Sequence, residues 1–513
     1  MSQTLRVSSS YEHALQSLYW DIGIRGIRVD TSVLAKASAI ADAEIARNLA
    51  IASKQWSCPV FIGAENNPSF GESDEEDEEP PAEQAGGAVN INATQGKYAL
   101  LAKLKDLGYN IPKITKKNEE GDYEQKDSTG ELAIQRMLSE NQFNYPGGDP
   151  ALRAVLKVRE LGKLKTSYLN ARLLRRRDSD FFICTYNVAG TVTGRRSSRR
   201  HPFGFGNNAQ NTPKHSSTAG LFRECLVARE SQILLFVDQI QAEDWPVNAL
   251  AENYNALKDL DSGADRHSAL ASFIMQRRIP AKGDPDWDEA QYGMYRFVGK
   301  KARHANNYGM EAPRFADVLA QELPEFYVPI GTCKAILEAV DKADPQIKGV
   351  FHAYVRAALS SERILRTPAP FLRERQFLSV RPTESPNSQR IKEAFAFIPQ
   401  STVADNTGFA ILDLEANAKG AVIQEGHDSV VQDIPDTYDS VYKTLCTTRV
   451  AFDRFICFHN GIKLNIPIEA EVGYNFKDTV KIKAFTLAGV KEAMDKLREN
   501  AKRVATFQVA VGA

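Results

Sequence analysis

Residues 232–238, Gln-Ile-Leu-Leu-Phe-Val-Asp, form an apolar, β-type run that stops on an aspartate. A strand of this kind belongs in a sheet, and its end presents a carboxylate. Residues 421–434 resemble a hairpin with Gly426-His427-Asp428 at its tip, which puts a second carboxylate at a strand end. Two carboxylates held on one sheet suit a pair of Mg²⁺ ions about 3.5–4 Å apart, one activating an attacking oxygen and the other stabilising the leaving oxygen of a phosphoryl transfer. Taken singly, each aspartate reads more simply as a strand-end residue making a turn.

A chain of 513 residues exceeds one compact core, and three or four lobes are expected. With 43% hydrophobic and 25% charged residues it has an ordinary globular balance. No apolar stretch is long enough for a membrane span, and the N-terminus has no secretory pattern, so a cytosolic protein is expected. The six cysteines are scattered without a CxxC pair, which supports neither a disulfide framework nor a Cys-rich zinc site. Taken as a sum, the net charge of −1 disfavours a polyanionic partner, but residues 72–83 hold eight acids and no base, so the remainder carries +7. That acidic loop, with only small alanines to bury, is expected to be solvated. Residues 115–130 read as an exposed polar connection.

Helices are expected over the Ala-rich stretch after Asp30, with Asp30, Thr31 or Ser32 as cap, and from Asp149-Pro150 onward with the Asp as cap. Leu152, Val155, Leu156 and Leu161 mark the apolar positions of the second helix. From Arg153 to Arg177 there are nine Lys or Arg against Glu160 alone, a run read as a phosphate-binding surface rather than a solvated face. Residues 287–321 are helical in character. Within them Arg296, Lys300, His304 and Tyr308 recur every four residues and share one face, which suits a triphosphate or, more plainly, an exposed basic face. The loop at 191–213 combines Gly, Arg, Ser, Asn and Gln, donors that can follow a sugar-phosphate backbone. Gln241 and Glu243, just after Asp238, suit a sugar or primer, or an ordinary helix N-terminal turn.

Taken in order, these clusters resemble the family A DNA polymerases. Thr193-Gly194-Arg195, Ser197-Ser198 and Asn208-Ala209-Gln210-Asn211-Thr212-Pro213 are similar to the TGR-x-SS and N-L-Q-N-I-P signature. Asp238, Gln241 and Glu243 match D-x-x-Q-x-E, and the row from Arg296 to Tyr308-Gly309 matches R-x₃-K-x₃-[FY]-x₃-YG apart from His304. Pro399-Gln400-Ser401-Thr402-Val403-Ala404-Asp405 resembles P-x-Q-G-[ST]-A-A-D, and His427-Asp428-Ser429 resembles HDE. Gly26-Ile27-Arg28-Val29-Asp30 and the closing segments Leu464–Ile468 and Glu469–Gly473 extend the likeness through most of the chain.

The resemblance implies an α/β (α+β) right-hand fold: a thumb over 1–175 with its acidic loop at about 70–87, a palm split as 176–250 and 396–513 around an antiparallel sheet, and fingers over 251–395. Asp238 and Asp428 would ligate two Mg²⁺ ions together with the backbone carbonyl of Gln239. Arg296 and Lys300 would hold the incoming dNTP, with Lys300 placed as general acid toward pyrophosphate. Tyr308 would pack beside the templating position, with His304 and Gln241 also on the nucleotide side and Glu243 as a steric gate against a ribose 2′-hydroxyl. Arg195, Asn208, Gln210, Asn211 and Gln400 would touch primer-template DNA, and His427 the primer's terminal phosphate. Three departures stand out: Arg303-His304-Ala305 in place of Asn-Phe-Gly, Ser429 in place of Glu, and Trp245 in place of Arg. The resemblance begins at the thumb, so no proofreading domain is expected in this chain, and a separate exonuclease is an expected partner. The acidic loop reads as a spacer or, alternatively, a docking site for a processivity factor. The rival readings are a single-subunit RNA polymerase or primase-like enzyme, which Ser429 favours, and a catalytically inactive DNA-binding replisome protein.

Overall fold

The computed structural model describes residues 2–62, 88–92, 99–117, 123–140, 148–170, 180–188, 190–213, 218–323, 328–380 and 388–511. The acidic segment at 71–87 and the arginines at 172–177 lie outside the described residues, and so do the readings of them as loop, docking site or phosphate-binding surface.

The chain divides into two units, one of residues 1–37, 167–310 and 336–513, the other of 38–166 and 311–335. At the centre of the first is a five-stranded, wholly antiparallel sheet, as expected. The run at 232 becomes the strand Gln232–Gln239, flanked by Ser429–Pro435 on one side and Ile468–Gly473 on the other, with Val422–Glu425 and Thr479–Lys481 at the edges. Ile233, Leu234, Leu235 and Val237 are all buried, because both faces of this middle strand are covered. The hairpin closes through the Gly426 N–H donating to the Ser429 carbonyl at 2.8 Å, with His427 in the left-handed region at φ 74°.

One helix organises the rest of this unit. Gln389–Asn417 runs 29 residues, is capped by Ser388 and buries Pro399 inside it. It buries polar residues as well, namely Ser401, Thr402, Asp405, Asn406 and Thr407, and a polar group inside a core must find partners. Ser401 and Thr402 donate to the carbonyls of Thr193 and Ile398, Asp405 accepts from Arg373, and the partners of Asn406 and Thr407 lie in the site described below. A separate three-stranded sheet sets Ile27–Val29 between Phe181–Phe182 and Leu226–Val227.

Asp30 caps Thr31–Trp56 through the N–H groups of Ser32 and Val33, and Asp149 caps Pro150–Leu164 through Ala151 and Leu152, as expected. The second unit packs Trp56, Leu100, Leu104, Ile134, Leu152, Val155 and neighbours into one core. Within it, part of the basic run supports the fold: Arg159 donates to the carbonyls of Thr129 and Ile91, Lys157 pairs with Glu160, and Lys165 with Asp42.

Two expectations change. The segment at 115–130 is not simply an exposed connection: Lys113–Lys117 and Tyr123–Asp127 form a two-stranded ribbon, and Ser128 and Thr129 are buried. Polar residues at successive positions give no period-2 signal, although the backbones satisfy each other all the same. The helical region at 287–321 is two helices, Glu289–Asn307 and Ala312–Glu322. Gly309, at φ 66°, ends the first in a Schellman turn, in which Met310 N–H bonds the Ala305 carbonyl and Gly309 N–H the Asn306 carbonyl. Among the described residues, no helix is long and apolar enough to cross a membrane.

Candidate active site

The sheet register decides where the two aspartates stand. Asp238 is directly opposite Ser429, and the Gln239 N–H donates to the Asp428 carbonyl at 3.1 Å. Both carboxylates therefore sit at the same end of neighbouring strands, half-buried, on backbone whose hydrogen bonds are already made. The Gln239 side chain is turned into the core, where Asn406 Nδ2 donates to its Oε1 at 2.7 Å and its Nε2 donates to Thr407 Oγ1 at 2.9 Å. Thr407 in turn reaches the His427 carbonyl at 3.0 Å. The buried polar stripe of the long helix thus holds both arms of the site at once.

Two carboxylates with a neighbouring backbone carbonyl form a hard-oxygen donor set, the chemistry that Mg²⁺ takes. Among the described residues no cluster of three or more His, Cys, Asp or Glu side chains could hold a metal ion, so these two side chains suffice only with backbone, substrate or water oxygens. The residues fit such a group on those terms.

Beyond Asp238 the chain turns sharply, with Gln241 at φ 48° and Asp244 N–H bonded to its carbonyl at 2.9 Å. Gln241 Oε1 is buried and, among the described residues, has no hydrogen-bond partner. Glu243 ends the turn, at the start of the helix Asp244–Leu250. Its carboxylate takes an ion pair from Arg195 and a hydrogen bond from the Tyr308 hydroxyl, with His304 Nδ1 at 3.9 Å. Burial pushes this carboxyl up, but Arg195, His304 and Tyr308 outweigh it and hold it below its usual range. Burial and Glu243 in turn push the Tyr308 phenol well above its own. Residues expected to serve separately, as DNA contact, gate and nucleotide stack, are one hydrogen-bonded cluster.

The row on Glu289–Asn307 is graded. Arg296 is half-buried, Lys300 and His304 are exposed, and Tyr308 is buried. His304 meets Tyr308 edge-on, with ring centroids 4.9 Å apart. Arg303 lies on another face, buried, with Nη1 2.9 Å from Asp344. Trp245 is likewise a core residue, whose indole N–H donates to the Ile240 carbonyl at 3.1 Å.

The loop at 191–213 is anchored rather than free. Arg196 is fully buried, donating to the Ala404 carbonyl and, at 2.7 Å, to the Tyr11 hydroxyl. Asn208 Oδ1 accepts from Ser198 Oγ at 2.6 Å and Asn211 N–H at 3.0 Å, while the exposed Asn211 gives its carbonyl to Tyr168 at 2.9 Å. Gln210 Nε2 lies 3.2 Å from Glu425 Oε2 and 3.4 Å from His427 Nδ1, which joins this loop to the hairpin. Gln400 is half-buried on the long helix and, among the described residues, makes no hydrogen bond to that junction.

Sequence reasoning missed three residues here. His267, buried and, among the described residues, with Nδ1 unpartnered, is held neutral down to about pH 4, mainly by burial, with the charges of Arg303, Arg296 and Lys300 contributing against the pull of Asp244. Asp265 binds Arg296, and the fully buried Glu425 lies behind the hairpin. The signals were weak: a His two residues after a helix-capping Asp, and a lone Glu in a strand.

A family model described as DNA polymerase family A matches residues 65–478. The chain is 26% identical over 334 residues to "DNA polymerase I, thermostable" of Thermus filiformis, covering 64% of this chain and 36% of that protein. It is 24% identical over 396 residues to the protein of the same description in Thermus aquaticus, covering 76% and 42%. The chain thus spans about two-fifths of the length of these curated relatives. Among solved structures, the POL domain of Pol1 from M. smegmatis, in complex with DNA primer-template and dNTP, superposes with a TM-score of 0.66 at 17% identity, over 91% of this chain and 70% of that one. The mixed α/β fold with its antiparallel sheet is therefore shared with a polymerase domain.

Proposed function

For a chain that belongs to DNA polymerase family A, we propose template-directed addition of dNTPs to a DNA primer, with the site above as its active centre. The observation that carries this reading is the register that sets Asp238 opposite Ser429 and bonds Gln239 to Asp428, so that two carboxylates share one sheet end. Thumb, palm and fingers are assigned as 1–175, as 176–250 with 396–513, and as 251–395, in the cytoplasm of a bacterial or phage-infected cell.

Family A DNA polymerases use divalent metal ions. Asp238, Asp428 and the Gln239 carbonyl would hold two Mg²⁺ ions, which when bound supply activation of the primer 3′-oxygen and stabilisation of the leaving oxygen. The protein's own residues do the rest. Arg296 and Lys300 bind the triphosphate through charge-assisted hydrogen bonds, and Lys300 gives a proton to the departing pyrophosphate. Glu243 closes the space beside the sugar's 2′ position. It is pinned there by Arg195 and Tyr308, so an added hydroxyl meets a carboxylate that has no slack. Tyr308, His304 and Gln241 line the nucleotide side. Asn208, Gln210, Asn211, Gln400 and His427 position primer and template, orienting the attacking oxygen toward the α-phosphate. A separate exonuclease or processivity factor completes the proposed partners.

Primer extension on a primed template, offered dNTPs or rNTPs, tests this reading, with Asp238→Ala and Asp428→Ala as controls. Extension with dNTPs, abolished in both variants, is expected. Wild-type activity no higher than the variants would mean a non-catalytic DNA-binding protein, and primer-independent synthesis from rNTPs would mean an RNA polymerase.

A further inference from the structure

Asp265 stands immediately before the helix Arg266–Met275 and caps it, its Oδ1 accepting from the N–H groups of His267 at 3.2 Å and Ser268 at 3.3 Å. Its Oδ2 accepts from Ser268 Oγ at 2.8 Å and from the Lys282 N–H at 2.9 Å. These four donors hold the carboxylate without any help from Arg296. The same Oδ2 then receives Arg296 Nε–H at 2.8 Å, from a side chain 26% exposed to one 10% exposed. Burial pushes this carboxyl up, but the hydrogen bonds of Arg296, Lys282 and Ser268 outweigh it and keep it ionised well below its usual range.

The contact uses Nε alone. Among the described residues the two terminal nitrogens of Arg296 have no hydrogen-bond partner, and these form the fork with which an arginine grips phosphate oxygens. The helices carrying the pair are pressed together at Gly299, where an added Cβ would stand 2.5 Å from the His267 carbonyl oxygen. The anchor is therefore on rigid backbone at both ends.

We propose that Asp265 is the positioning residue of the nucleotide site: it fixes Arg296 by Nε so that the terminal fork is already set for the incoming triphosphate. The inference rests on the polymerase reading above. An unanchored arginine loses its rotamer freedom when it grips phosphate, whereas an anchored one has lost it on folding. The negative charge of Asp265 opposes an anionic ligand, but four other donors share that charge, so the ordering effect wins.

Asp265→Asn separates anchor from cap. Asn caps a helix as well as Asp does, but one of its two acceptors becomes an N–H₂ group, and the orientation that keeps the cap turns that donor on Arg296. Single-nucleotide incorporation should show KM for dNTP rising about five- to tenfold with kcat within about twofold. Asp265→Ser, a cap too short to reach Arg296, should do the same. In an Arg296→Ala background either change should add nothing further, since the effect passes through that side chain. An unchanged KM in both variants, or effects that multiply with Arg296→Ala, overturns the assignment. Wild type that extends no primer removes the underlying polymerase reading, whereas active wild type with multiplying effects removes this inference alone.

Discussion

Asp344 reconciles two buried arginines, and deleting it should cost more than deleting either. Its Oδ2 takes Arg303 Nη1 at 2.9 Å, Arg266 Nη2 reaches both oxygens at 3.2 and 3.3 Å, and Asn253 Nδ2 donates to Oδ1 at 2.9 Å. The arginine side chains are only 5% and 6% exposed. Burial pushes the Arg266 guanidinium down, and the Arg303 charge pushes it further, so the two cations are tolerable only with the carboxylate between them. Asp344→Ala strands both, leaving Arg266 only the weaker pull of Asp244 and of the exposed Asp259, 3.9 Å away, and should destabilise by about 3–5 kcal/mol, the usual cost of leaving buried charge poorly compensated. Arg303→Ala is different. Asp344 keeps Arg266 and Asn253, and relief of the repulsion between Arg303 and Arg266 offsets part of the loss of two charged hydrogen bonds, to Asp344 and, at 3.0 Å, to the Arg266 carbonyl, leaving about 1.5–3 kcal/mol. Urea unfolding followed by circular dichroism should show both midpoints lowered with similar slopes, and Asp344→Ala lower by a clear margin. An Arg303→Ala midpoint at or below that of Asp344→Ala, or an Asp344→Ala loss of under about 1 kcal/mol, would refute the reasoning.

Two further substitutions test the site's supports. Gly299→Ala places a Cβ 2.5 Å from the His267 carbonyl oxygen and 3.1 Å from Ala271 N, so the helices must part, at about 1–3 kcal/mol. Melting temperature should fall and KM for dNTP should rise together; an unchanged value of either contradicts the close approach. Glu425 is pushed up to about 7, chiefly by burial and against the pull of Arg196, from an ordinary value of 4.5. Between those two pH values the folded chain keeps a proton that the unfolded chain has released, so stability should fall as pH rises through the window and level off above it. The change amounts to about 3 kcal/mol. Glu425→Gln, which cannot ionise, should flatten that part of the melting profile in metal-free buffer, and an identical slope in both proteins would sink the assignment.

What could be read from the sequence was local. The strand ending at Asp238, the hairpin at Gly426-His427-Asp428 and the caps Asp30 and Asp149 are each written within a few consecutive residues, in side-chain period or turn chemistry. The ribbon at 113–127 escaped because polar strands leave no such period. Partners distant in sequence escaped for another reason: nothing in a segment names the carboxylate that will meet its arginine. Arg195 finds Glu243, 48 residues on, and Arg296 finds Asp265, 31 residues back. Only sheet register and helix packing determine those pairings.

The same distinction sorts the departures from the family pattern. Trp245 and Arg303 look like changes to the active centre when aligned by motif, yet one is packed in the core beneath Ile240 and the other neutralises Asp344 from a buried face. Their replacement alters what the site stands on. His304 and Ser429 lie on the side of the proposed active centre: the first is exposed beside Tyr308 and Glu243, the second is paired directly across from Asp238. A histidine near a carboxylate that is already held by an arginine and a tyrosine adds ring nitrogens that can hydrogen-bond, where an aromatic hydrocarbon would add none. Any departure in nucleotide choice from the rest of the family should therefore be sought at His304 and Ser429 before Trp245 or Arg303.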